Sequence, residues 1–262
     1  MSSFSTIVIL LTLAAASLFI VSVINQRQTR ARVVSQKLSS MKRRVSDMEE
    51  LVATLQPLVE NPAIPKIINE EAIDLTNTML GISPSNNYYQ MTLGGLEQRA
   101  QEFSDPSKKV ALYRLMESDA AIARAQYAMS EAARIVRKRQ AADQIQVAEM
   151  DALLRDISWA NFMVKITSNV AQGHKAVNRG DVLRAFAFYR KALEVATEAG
   201  HKDERQNQII TEIGEILSSK RRALSLSLMP ETTHNPEADT PGLAELSRAQ
   251  AEKMLSEQND DS

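Results

Sequence analysis

The chain has 262 residues and is nearly neutral, with 31 basic against 32 acidic side chains, so it lacks the surplus of positive charge with which nucleic-acid binders hold phosphate. It has no cysteine, which excludes disulfides, thiolate metal sites and thiol nucleophiles, and its three histidines (His174, His201, His234) are too far apart for ligand spacing. Eight glycines, eight prolines and 5% aromatics favour helices over strands, and the expected fold class is all-α.

Residues 1–3 precede a run from Phe4 to Ile24, FSTIVILLTLAAASLFIVSVI, that carries no charge. At about 1.5 Å per residue it extends roughly 30 Å, the thickness of a bilayer's hydrocarbon core, and is predicted to be a transmembrane anchor. No Lys or Arg precedes it, and it ends in Asn25-Gln26-Arg27 instead of a small-x-small cleavage site, so a retained signal-anchor is expected. Arg27, Arg30, Arg32, Lys37, Lys42, Arg43 and Arg44 follow with no acidic residue among them. By the positive-inside rule this flank stays cytoplasmic, with the N-terminus outside. That arrangement fits a bacterial inner membrane, an organelle membrane being the alternative. The same cations suit anionic lipid headgroups.

Residues 27–59 read as a basic juxtamembrane coiled-coil stalk. Ala31, Leu38, Val45, Val52 and Val59 form one heptad position, and Val34, Met41, Met48 and Leu55 the other. In a parallel homodimer Arg44 faces Glu49 of the other copy, whereas Lys37 faces Lys42. The alternative is an amphipathic helix packed on its own chain. Pro57, Pro62 and Pro65 end the helix and open a linker with short helices over 60–104, one predicted from Ile67 to Leu80 and one near Leu93 to Phe103. Tyr88-Tyr89 is expected to dock its loop on a core, and Gly94-Gly95 reads as a turn.

A helical domain is predicted over 105–228, beginning with Asp105-Pro106 as N-cap and first helical residue. No Gly or Pro then occurs before Gly173, and the apolar spacing implies one very long helix or, as favoured here, two antiparallel helices joined near Arg139–Asp143. Trp159 is assigned to their core with its indole N–H satisfied locally. RIVRKR (134–139) reads as a solvated helix end, and Glu149, Asp151 and Asp156 as a solvated face.

From Ile166 to Gly200 the text is ITSNVAQGHKAVNRGDVLRAFAFYRKALEVATEAG. The segment carries Gly173, a tight-turn pair at Gly180-Asp181 whose glycine ends one helix and whose aspartate caps the next, and a small-aromatic-small series at Ala185, Tyr189 and Ala192. In these features the segment resembles a single tetratricopeptide repeat, over about 34 residues. The resemblance implies a helix pair within a protein-binding surface, with Val170, His174 and Val177 on its inward, partner-facing side. A further helix is predicted from Asp203 to Ser227, with Ile209, Ile210, Ile213, Ile216 and Leu217 in one stripe.

The segment 229–262, with eight acidic residues against Arg248 and Lys253, reads as a mostly disordered acidic tail with a short amphipathic helix at Leu243–Leu255. No catalytic set, metal site or cofactor motif emerges, so binding is expected in place of catalysis: a membrane-anchored scaffold for an unidentified protein partner, or else a structural subunit of a larger membrane assembly. A homodimer through the stalk, lipid contact through anchor and flank, and no nucleic acid are the remaining expectations.

Overall fold

The computed structural model describes the backbone of residues 3–105, 107–108, 111–201 and 203–229, and the side chains from Phe19 onward apart from 20, 21 and 23. Among the described residues all regular structure is helical: α1 Ser3–Leu55, α2 Ala63–Ile82, α3 Asn87–Ser104, α4 Asp119–Ala141, α5 Val147–Asn178, α6 Val182–Glu198 and α7 Glu204–Leu217. The all-α expectation holds. Among the described residues no helix is long and apolar enough to cross a membrane. The side chains of most of the Phe4–Ile24 run, residues 1–2 and the predicted tail from 230 on lie outside the described residues.

The heptad seam divides in two. Val45, Met48, Val52, Leu55 and Val59 are buried in the chain's own core, where α1 packs on α2 and α4. Above them Leu38 and Met41 are half-buried, and Ala31 and Val34 are exposed. The 27–59 stalk is thus corrected. Its lower part is an amphipathic helix of a bundle, because α2 supplies a complementary apolar face of Ile64, Ile67, Ile68, Ala72 and Met79.

The 60–104 linker is corrected too, for α2 and α3 are full helices of 20 and 18 residues. The prolines that suggested a connector make a short turn: Pro62 precedes the first residue of α2, and Pro65 sits in its first turn, where a missing N–H costs nothing. Asn61 Oδ1 accepts from Ala63 N at 3.0 Å. Gly94-Gly95 lies inside α3, which continues through it. Tyr88 and Tyr89 lie in the first turn of α3 and not in a loop; Tyr89 docks on the core, while Tyr88 stays half exposed beneath Lys42 Nζ, 4.4 Å from its ring centre.

No helix begins at Asp105. That residue ends α3, and 111–116 run without regular structure, so the domain boundary at 105 is corrected to a strap between bundle halves. Tyr113 N donates to Pro57 O (2.8 Å) and Met116 N to Ser168 Oγ (2.9 Å), which satisfies backbone that a helix would otherwise pair. The next helix starts at Asp119, capped by Ser118, whose Oγ accepts from Ala121 N. The favoured pair of helices is found: α4 and α5 are joined by 142–146, with Asp143 at φ 55° doing what a glycine often does.

Two cores result. One gathers the end of α1 with α2, α3, α4 and the start of α5; the other gathers the rest of α5 with α6, α7 and Leu224, Leu228 and Met229. α5, 32 residues long, belongs to both. α7 stops at Leu217 rather than Ser227, turning at Ser219 (φ 59°) so that Leu224 and Leu228 fold back onto the second core.

Ion pairs fasten α4 to α2. Arg139, 8% exposed, reaches Asp74 (3.2 Å), Glu70 (3.4 Å) and Glu71 (3.7 Å), and Lys138 also binds the buried Glu71. Ile135 and Val136 lie in the core, while Arg134, Arg137 and Lys138 are exposed near the end of α4, so RIVRKR is a helix end with a solvated face and a packed one. Arg139→Ala is expected to cost about 3 kcal/mol, read as a lowered urea midpoint, since it strips a buried carboxylate of one partner while leaving Lys138 and Arg44.

Candidate functional site

The repeat-like pair is built from α5 and α6. α5 and α6 lie side by side across a turn at Gly180 (φ 75°), where Asp181 N donates to Ala176 O and Asp181 Oδ1 accepts from Arg184 N. Tyr189 lies against Gly173: a Cβ at Gly173 would run into the edge of the Tyr189 ring at Cε1 and Cδ1. Ala185 and Ala192, both 0% exposed, let the helices close on either side of that ring. Tyr189 Oη and His174 Nδ1 hydrogen-bond at 2.7 Å, and burial pushes the phenol well above its ordinary pKa, so it stays neutral.

The partner-facing side predicted at Val170, His174 and Val177 is not exposed. Their exposures are 0%, 1% and 5%, and the two valines belong to the second core. That assignment is corrected: in an array the inward side of such a pair is open, but here the chain's own neighbouring elements cover it.

Two other surfaces are candidates. The first is a cleft of about 760 Å³ lined by Glu60, Asn61, Arg114, Arg155, Asp156, Trp159, Gly200, His201, Asp203 and Arg205. Its walls come from the α1–α2 turn, the strap, α5 and the α6–α7 loop. Arg114, 4% exposed, donates from Nε to Leu58 O (2.9 Å) and from Nη2 to Glu60 (2.9 Å). Arg205 binds Glu60 (3.2 Å) and Asp203 (2.8 Å) and lies 4.3 Å over the Trp159 ring. Asn61 Nδ2 donates to Asp156 (2.7 Å), so Asp156 is a tether rather than part of a solvated face; Glu149 and Asp151 remain exposed. Trp159 packs on Phe162 and His201, and among the described residues its buried Nε1 has no acceptor, against the expectation of a local one.

Charge sets the state of these groups. Burial alone would raise the Glu60 pKa, but the bonds and charges of Arg114 and Arg205 bring it below the usual value. The Arg205 hydrogen bond holds Asp203 low, and burial lowers His201 against the pull of Asp203. Because both carboxylates have depressed folded values, their contribution is complete above the ordinary carboxylate range near ~4 and is lost as pH falls through the lower folded values. Urea midpoints should therefore drop between pH 6 and pH 3. In Arg114→Ala, itself about 2 kcal/mol less stable at neutral pH, the drop should be smaller.

Among the described residues that line the cleft, Arg114 and Arg205 are already paired with carboxylates, and none is a hydroxyl, thiol or amine nucleophile. Among the described residues no group of three or more His, Asp or Glu is placed to hold a metal. Sequence reasoning missed the cleft because Glu60 and Arg205 are far apart in the chain and individually ordinary; the single tryptophan beside Asp156 was its one signal.

The second surface is the stretch of α1 from Ile24 to Ser40, exposed on nearly every side, with Val33 58% and Val34 43% exposed. No protein-family model matches the chain, and comparison with curated proteins and with solved structures likewise gives no match.

Proposed function

We propose that the chain is a single-pass, membrane-anchored helical scaffold, or adaptor, that holds a cytoplasmic protein partner near the bilayer and acts by binding and not by catalysis. The observation that carries this reading is the continuity of α1. Its 53 residues make one helix, about 80 Å long at 1.5 Å per residue, with no break between the charge-free run and the body. The helix begins in sequence suited to a bilayer, passes through the basic flank and ends as core of the bundle. Anchor, stem and body then form one lever. The positive-inside rule puts the body in the cytoplasm and the N-terminus across the membrane, an arrangement that fits a bacterial inner membrane.

A second reading, a permanent subunit of a larger membrane assembly, is favoured by the outer face of α6, where Leu183 and Phe186 are 86% and 42% exposed. In-cell photocrosslinking of the full chain from Val34 and from Leu183 tests both. The scaffold reading expects adducts with a protein other than the chain itself, from the stem. Adducts from Leu183 alone, in one particle of fixed composition, favour the subunit. Self-adducts only, or none from either position, count against both.

A further inference from the structure

Resting on the scaffold reading, the partner's chemistry can be named: we propose that the stem docks an acidic amphipathic helix of another protein, against the α1 seam from Ala31 to Met41. The seam that α2 and α4 cover from Val45 onward continues upward past the partly covered Met41 and Leu38 to the open Val34 and Ala31, so a partner helix there extends an existing bundle. Ala31 and Val34 are exposed, and Leu38 and Met41 are half-buried at the rim of the core. Arg27 falls on the seam one heptad before Val34 and ends its apolar character.

The flanks decide between a second copy and an acidic partner. In a parallel homodimer the one favourable flank pair is Arg44 with Glu49 of the other copy. Here Arg44 lies 3.9 Å from Glu71 of α2, and Glu49 lies 3.7 Å from Arg99 of α3. Both are engaged within the chain, which leaves Lys37 against Lys42, a repulsive pair. Arg30, Lys37 and Lys42 are exposed, and among the described residues none has a carboxylate partner. A helix with Glu or Asp at its own flanking positions answers all three cations, while a second copy answers none.

Lipid is a poor match for the lower cations. Measured from Ile24 along the helix, Lys37 is about 20 Å and Lys42 about 27 Å away, beyond the roughly 8–10 Å over which charge acts in physiological salt.

The test uses the full chain in nanodiscs of neutral lipid. The probe is a labelled three-heptad peptide with Leu and Ile on its seam and Glu on its flanks. Its controls are a scrambled peptide of the same composition and a twin with Lys on its flanks. The acidic amphipathic peptide should bind at least tenfold more tightly than either control. Lys37→Glu with Lys42→Glu should reverse the preference toward the Lys twin, and Val34→Asp should abolish binding while far-UV circular dichroism stays unchanged. Equal binding of the scrambled peptide, no binding, or a resting self-dimer captured by Val34→Cys oxidation would overturn the proposal. Failure of the scaffold reading shows elsewhere, as absence of foreign adducts from Val34 in cells.

Discussion

Val52→Asp should unfold the bundle, whereas Val34→Asp on the same helix seam should leave its stability unchanged. Val52 is 2% exposed and packs among Met48, Leu55 and the apolar face of α2. A carboxylate there loses the valine's burial and enters a place with no cation on the seam, a change on the order of 5 kcal/mol. That is comparable with the whole stability of many domains. Val34 is 43% exposed, and a charge there meets water, with an effect within about 0.5 kcal/mol. Urea titration by circular dichroism reads the difference. Similar effects at both sites would mean that the seam is not divided between core and stem.

Tyr189→Ala should cost about 3–5 kcal/mol, the range for emptying a buried aromatic site. The ring is 1% exposed, fills the space over Gly173 and gives His174 its hydrogen-bonding partner at Nδ1. Gly173→Ala in the natural background should also destabilise. Its Cβ meets three ring atoms within 2.8 Å, and displacing a confined ring costs about 1–3 kcal/mol, more than the roughly 1 kcal/mol gained in helix propensity. In the Tyr189→Ala background the obstacle is gone, and Gly173→Ala should become stabilising. A double-mutant cycle that shows this change of sign ties the two positions together; additivity would show that the ring does not rest on the glycine.

Helical class and the α5–α6 pair were legible because each depends on local signals. Gly180-Asp181 ends one helix and caps the next whatever surrounds it, and the Ala185-Tyr189-Ala192 spacing puts the three on one face. The fate of the seam was not legible. A heptad pattern states that α1 buries one face, but not whether another copy or α2 and α4 cover it, because apolar area is non-directional. The same limit misplaced Val170, His174 and Val177: the helix face was identified, but its cover came from elsewhere in the chain. Asp105-Pro106 misled for a related reason. Its capping chemistry is sound, yet the segment after it is held by Pro57, Leu58, Thr167 and Ser168, contacts that span more than 50 positions of sequence. The cleft's Glu60–Arg205 and Asn61–Asp156 pairs are likewise distant in sequence.

We propose that one helix serves as anchor at its start and as core at its end. Alkaline carbonate extraction of membranes from cells expressing the full chain tests it most directly. The chain should stay in the membrane pellet, and Leu11→Arg with Ala15→Arg should release it, since each arginine near the centre of a span adds roughly 3 kcal/mol to insertion. The released variant should keep the helical circular dichroism and urea midpoint of the bundle. Recovery of the unaltered chain in the carbonate supernatant would contradict the claim.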